Sequence, residues 1–200
     1  RDRLAGDRIP HAREVVVTAG DHPPLRCAGA VWDAAFSPDG RRVVTASSAT
    51  AQGTGEARVW DAVTGRPITP PLQHHGSVRC AAFSPDGRRV ATGSYDNFAR
   101  VWDAVTGRPL TAPIPAGGLV VRVEFSPDGR RLLTAGADAM ARVWDAATGE
   151  PVTPVLQHRG GVGYAAFSRD GRQVVTASHD GTARVWDAVT GQPLSPPLPH

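Results

Sequence analysis

A Trp-Asp pair returns at residues 60–61, 102–103, 144–145 and 186–187, a step of 42 each time. A second motif keeps the same step. Phe-Ser-Pro-Asp-Gly stands at 36–40, 83–87 and 125–129, and Phe-Ser-Arg-Asp-Gly at 167–171. Only the first interval departs, at 47 residues, with the surplus lying within Ser48 to Glu56. Segments 83–110 and 167–194 are identical at 20 of 28 positions, so the chain is built from copies of one unit. Self-similarity at such a period marks a repeat architecture, in which each unit buries its apolar face against its neighbours. An enzyme domain with one asymmetric site would not normally be organised this way.

Each unit reads as short strands joined by tight turns. Val78 to Phe83 and Val162 to Phe167 are mostly apolar runs suited to an inner, buried strand. Pro85 and Gly87 then supply the fixed φ and the positive φ of a turn. A second strand follows over Arg89 to Ser94 and a third over Ala99 to Trp102, with a further turn ending at Gly107. The next stretch carries the prolines, such as Pro67, Pro70 and Pro71. Proline cannot donate to a ladder, which places this stretch at an outer edge. Four strands per 42 residues, apolar inside and proline-broken outside, is the pattern of a propeller blade.

Period, turn and terminal dipeptide together resemble the WD-repeat β-propeller family over residues 25 to 200, in its bacterial form with near-identical repeats. The resemblance implies an all-β fold: four tandem four-stranded blades, part of a larger, seven-bladed ring. The expected divisions are a flanking segment or blade remnant at 1–24, blade one at 25–71 with its insertion at 48–56, and blade two at 72–113. Blade three follows at 114–155, blade four at 156–197, and a fifth blade begins at 198–200. The resemblance also implies a buried relay from His through a hydroxyl and an Asp to the Trp of each blade. It carries over fully as His74, Ser94, Asp96 and Trp102, and as His158, Ser178, Asp180 and Trp186. Blade three keeps Asp138 and Trp144, with Ala116 in place of the His and Gly136 in place of the hydroxyl. Blade one keeps Ser47 and Trp60, puts Cys27 at the His position and lacks the Asp.

Motifs that suggest chemistry have plainer uses. Ser178, His179 and Asp180 are triad residue types, but neighbours on a strand point to opposite faces and the relay already uses two of them. His74 and His75 have no further ligands at metal spacing. Cys27 and Cys80 read as small buried hydrophobes and favour a reducing compartment, hence a cytoplasmic location. No catalytic, cofactor-binding or metal-binding residue is assigned. The net charge of +3 comes from 22 basic residues, all Arg, against 19 acidic ones. Arg and Asp alternate around the turns, so a solvated mixed-charge surface is favoured over a nucleic-acid footprint. No apolar run is long enough for a membrane helix. Arg1 and the single Met140 point to a chain taken from something longer.

Variation between copies gathers at the opposite end of the blades, at Tyr95, Ala137 and His179, at the residues that follow, and before each inner strand. Trp32, His75, Arg79, Tyr95, Phe98, Arg159 and His179 are therefore the candidate partner-binding face. The expected function is a non-enzymatic scaffold for a protein or peptide partner, as the repeat region of a larger bacterial signalling or regulatory protein. The competing readings are a hydrolase acting at the central channel and nucleic-acid binding through the Arg-rich end. An arc of four blades leaves apolar faces uncovered, so the isolated chain is expected to self-associate.

Overall fold

The computed structural model describes residues 27, 29–48 and 53–199. The segment 1–24, and residues 49–52 within the expected insertion, lie outside them. The described residues form four antiparallel sheets and no helix. The first sheet holds β1 (Val31–Phe36), β2 (Arg42–Ser47), β3 (Gly55–Asp61) and β4 (Leu72–His74), in that order. The second holds β5 (Val78–Phe83), β6 (Arg89–Ser94), β7 (Phe98–Asp103) and β8 (Ile114–Pro115). The third comprises β9 (Val120–Phe125), β10 (Arg131–Gly136), β11 (Met140–Asp145) and β12 (Leu156–Gln157). The fourth comprises β13 (Val162–Phe167), β14 (Gln173–Ser178), β15 (Thr182–Asp187) and β16 (Leu198–Pro199). These are four propeller blades in an open arc.

The blades divide later than the repeat suggests. Leu72 pairs with Ala57 and His74 with Gly55, so the segment expected to open blade two is the outer strand of blade one. Leu198 and Pro199 likewise pair with Ala183 and Thr182 and close blade four; they do not begin a fifth blade. The proline stretch makes only single bridges, such as Trp60 to Pro67, because proline offers no N–H to extend the ladder. The sheets therefore span 31–74, 78–115, 120–157 and 162–199, offset from the sequence repeat by a few residues.

The core lies between blades. Val44, Ala46, Val59 and Leu72 of blade one meet Val78, Ala81, Val90 and Trp102 of blade two. The two following seams repeat the arrangement around Val101, Ile114, Leu132 and Trp144, and around Leu133, Leu156, Val162 and Trp186. Strands β6 and β10 are buried along nearly their whole length because they have a sheet on either side. Strand β14 instead alternates between exposed and buried residues. Its Val175 is 38% exposed, where the matching Val44 and Leu133 are fully buried. Phe36, on blade one, is 60% exposed. These are seam surfaces without a neighbouring blade among the described residues.

The Arg residues after the Asp-Gly turns are not all solvated charge. The second Arg of each pair crosses a seam. Arg42 donates to Gly87 O (2.8 Å) and lies over the Phe83 ring. Arg89 does the same with Gly129 O (2.5 Å) and Phe125, and Arg131 with Gly171 O (2.7 Å) and Phe167. The first members, Arg41, Arg88, Arg130 and Arg172, remain exposed. Gln173 takes the place of the bridging Arg in blade four. A guanidinium over a ring with one charge-assisted hydrogen bond is worth more than a surface ion pair. Arg89→Ala is expected to lower unfolding free energy by about 1–3 kcal/mol, and Arg88→Ala by about 0.5 kcal/mol or less. Urea melts of the two variants compare them directly; equal losses would remove the seam role.

Candidate functional site

The antiparallel register fixes two ends for every blade. The Asp-Gly turns lie at one end. The β2–β3, β6–β7, β10–β11 and β14–β15 turns lie at the other, which holds the relay residues. Trp102 Nε1 donates to Thr92 Oγ1 at 2.8 Å, and Thr92 Oγ1 is 2.7 Å from His74 Nε2. His74 Nδ1 is 3.1 Å from Asp96 Oδ2, which fixes Nδ1 as the donor and Nε2 as the acceptor of the threonine hydroxyl. Arg100 donates to Asp96 Oδ2 at 2.7 Å and also meets His74 Nδ1. Trp186, Thr176, His158 and Asp180 repeat the chain at 2.8, 2.7 and 3.1 Å.

The expected relay hydroxyls, Ser94 and Ser178, are corrected by this geometry. The indole N–H meets the residue two positions earlier, on the same face of the strand and one pleat deeper in the blade. Ser94 instead donates to Gly76 O and accepts from Asp96 N, and Ser178 treats Gly160 O and Asp180 N in the same way. They tie down the loops at the relay end. The same correction applies to the other blades. Trp60 donates to Thr45, not to Ser47, and Trp144 donates to Thr134, so blade three has its hydroxyl after all. Cys27 Sγ lies 3.3 Å from Thr45 Oγ1, in the place an imidazole takes elsewhere. In blade three the His is Ala116, and Asp138 Oδ2 is buried with no partner.

The relay is an inter-blade device. His74 belongs to the sheet of blade one and its partners to blade two, and His158 likewise joins blade three to blade four. Burial holds the His74 imidazole below its usual 6.5, against the opposing hydrogen bond it donates to Asp96. Burial on its own would raise the Asp96 carboxyl, but the hydrogen bonds and charges of His74 and Arg100 outweigh it and hold Asp96 well below the usual range. The Thr182 hydroxyl, the Arg159 amide and His158 do the same for Asp180. No triad forms from Ser178, His179 and Asp180, because Ser178 and Asp180 bond to Gly160 and His158. Cys80, its thiol pushed up to about 12 by burial, sits in the seam between blades two and three, away from Cys27.

The inner strands supply the other part of this end. Each carries a β-bulge, with Trp32, Arg79, Val121 and Gly163 as the extra residues. A bulge turns a side chain out of the regular alternation. Arg79 thereby lies 5.1 Å over the Trp32 ring, and Tyr95 meets Trp32 edge-on at 5.7 Å. Beside them a cleft of about 380 Å³ is lined by Arg79, Tyr95, Val121, Ala137, Gly161, Val162, Gly163 and His179. Of the candidate face, Trp32, Arg79, Tyr95 and His179 thus come together at the inner edge. His75 and Arg159 are exposed and give their backbone N–H groups to Asp96 and Asp180. Phe98 lies further out on β7, under Arg100. Neither it nor His75 or Arg159 lines the cleft.

Four-stranded blades with inner-strand bulges, apolar seams and a Trp-linked relay define a propeller of the repeat type. The chain belongs to the WD domain, G-beta repeat family, whose model matches residues 21–61, 66–103, 111–145 and 149–187. WD repeats generally mediate protein–protein interaction and are typically non-enzymatic. A comparison with the curated proteins gave no match.

Two measurements test the relay. Thr176→Val removes the acceptor of Trp186 and the donor to His158, and is expected to cost about 1–3 kcal/mol and to shift the Trp186 indole N–H resonance. Ser178→Ala should leave that resonance in place; a shift from Ser178→Ala alone would restore the serine as the relay hydroxyl. The second concerns pH. The fold binds the His74 proton less well than the unfolded chain does, so protons are taken up on unfolding below pH 6.5. Stability from this group is complete above 6.5 and is lost as pH falls toward the lower folded value. His74→Gln should flatten the urea midpoint over that window, and an unchanged slope would count against the assignment.

Proposed function

We propose that the protein is a non-enzymatic scaffold whose relay end holds a protein or peptide partner. The observation that carries this is the stack of Arg79, Trp32 and Tyr95 beside the cleft. Aromatic and Arg side chains of this kind dominate binding energy at interfaces, and strands that fix them beforehand lower the ordering cost of association. Trp32 and Arg79 stand on inner strands whose outward neighbours are buried, and Tyr95 follows directly on one of these neighbours, so the stack is presented by a rigid frame.

The wider setting belongs to the same proposal. The uncovered surfaces at Phe36 and Val175 support membership in a larger ring, taken as seven blades, and self-association of the chain when it stands alone. We assign the protein to the cytoplasm, as the propeller arm of a bacterial signalling protein; the free thiols of Cys27 and Cys80 suit a reducing compartment.

A partner recovered from the native host by pull-down provides the test. Tyr95→Ala and Arg79→Ala should each weaken its binding by about 1–3 kcal/mol with little effect on stability. Arg88→Ala and Arg130→Ala, at the other end, should do little. A loss confined to the Arg88 and Arg130 variants would move the binding face to the Asp-Gly turns.

A further inference from the structure

Arg79 is a half-buried cation without an anion. Most other half-buried arginines of the described residues have acceptors; Arg142, over the Trp144 ring, is a further one without. Arg42, Arg89 and Arg131 donate to glycine carbonyls, Arg100 to Asp96, Arg122 to Glu124 and Arg184 to Gln157 O. Arg79 has the Trp32 ring beneath it and no hydrogen bond or ion pair among the described residues. Of the acids at this end, Asp138 keeps one oxygen buried without a partner, while Asp33, Asp96 and Asp180 are engaged. Asp33 accepts from Ala81 N (3.0 Å), in the inner strand of the next blade. Asp96 and Asp180 serve the two relays.

The cleft beside Arg79 contains no acidic side chain. Its polar groups are Arg79, Tyr95 and His179, set among Val121, Ala137 and Val162. Its far wall is made by Gly161 and Gly163. A Cβ on Gly163 would come within 3.2 Å of His179 Nε2, so the missing side chain is what gives that imidazole its room. We infer that the cleft takes an acidic peptide segment, with an Asp or Glu carboxylate on the Arg79 fork and small or apolar neighbours along Val121, Ala137 and the glycine wall. A guanidinium that meets a ring and no acceptor keeps its donors available for bidentate contact with a carboxylate. A nucleic-acid backbone would call for several such cations in a row, and only one lines the cleft. The volume of about 380 Å³ suits a few side chains, not a folded surface.

This inference rests on the relay end being the partner face, and the experiment separates the two. Short random peptides displayed on phage are selected on the full 200-residue chain. The pool is expected to be rich in Asp and Glu. Exchanging the acidic residue of the strongest binder for its amide should weaken binding by about tenfold or more. Arg79→Gln should abolish the acidic bias while Arg130→Gln keeps it, and Arg79→Glu should turn the preference toward Arg and Lys. That reversal is a gain and cannot come from a failure to fold. Binders that Tyr95→Ala weakens but that show no acidic bias would leave the partner face standing and overturn the inference. Binders indifferent to both Tyr95→Ala and Arg79→Gln, or no binders at all, would overturn both.

Discussion

A four-stranded sheet with apolar residues on both faces cannot stand alone in water, and everything else here follows from that constraint. Strands β6 and β10 are buried nearly end to end only because a second sheet lies on each side. The seam, more than the blade, is therefore the unit of stability, which is how linear repeat folds behave. Strand β14 supplies the internal control. Its sequence, Gln-Val-Val-Thr-Ala-Ser, shares Val, Thr and Ser with β6, Arg-Val-Ala-Thr-Gly-Ser, yet alternate residues are exposed because no described sheet covers its outer side.

Apolar contact brings sheets together but leaves their relative position loose, and polar links at the two ends of each seam set it. At the turn end, a guanidinium reaches across to a glycine carbonyl and covers a phenylalanine ring. At the relay end, His74 and His158 cross in the same sense, from the outer strand of one blade to the threonine and aspartate of the next. A buried imidazole satisfied at both nitrogens is a demanding link, since either partner alone would leave a polar atom stranded. The seam between blades two and three has only the first kind of link. With Ala116 in place of the His, Asp138 Oδ2 is left buried without a partner, so this seam relies on Arg89 and on apolar packing.

Much of this was legible in the sequence. Period, turns and the apolar inner strands led directly to four-stranded blades, because each is a local property of the repeating unit. Seam properties were harder to read. The family resemblance places the relay hydroxyl at Ser94 and Ser178, yet a one-pleat difference decides which oxygen the indole reaches. The signal was present all the same: Thr45, Thr92, Thr134 and Thr176 recur in every copy, while the serine position becomes Gly136 in the third. The bridging role of Arg42, Arg89 and Arg131 could not be separated from that of Arg41, Arg88 and Arg130, since adjacent residues of one type differ only in which face of the strand they occupy. The blade boundaries slipped for a similar reason. A three-residue outer strand such as Leu72–His74 has too little pattern to show which sheet it joins.

The inner-strand bulges explain why one end of a repetitive frame can be specific. A regular strand would send residues 32, 79, 121 and 163 into the ladder, where packing would force them toward the same small residues that the rest of the repeat uses. The bulge releases one residue per blade from that constraint, and the four released positions hold Trp, Arg, Val and Gly. Their diversity costs the seams nothing, because β2, β6 and β10 continue to pack beneath them. The same release explains why Arg79 can keep a free guanidinium when the seam arginines cannot. A charge inside a seam must find its acceptor within the fold, whereas one at the rim can be completed by whatever the cleft receives.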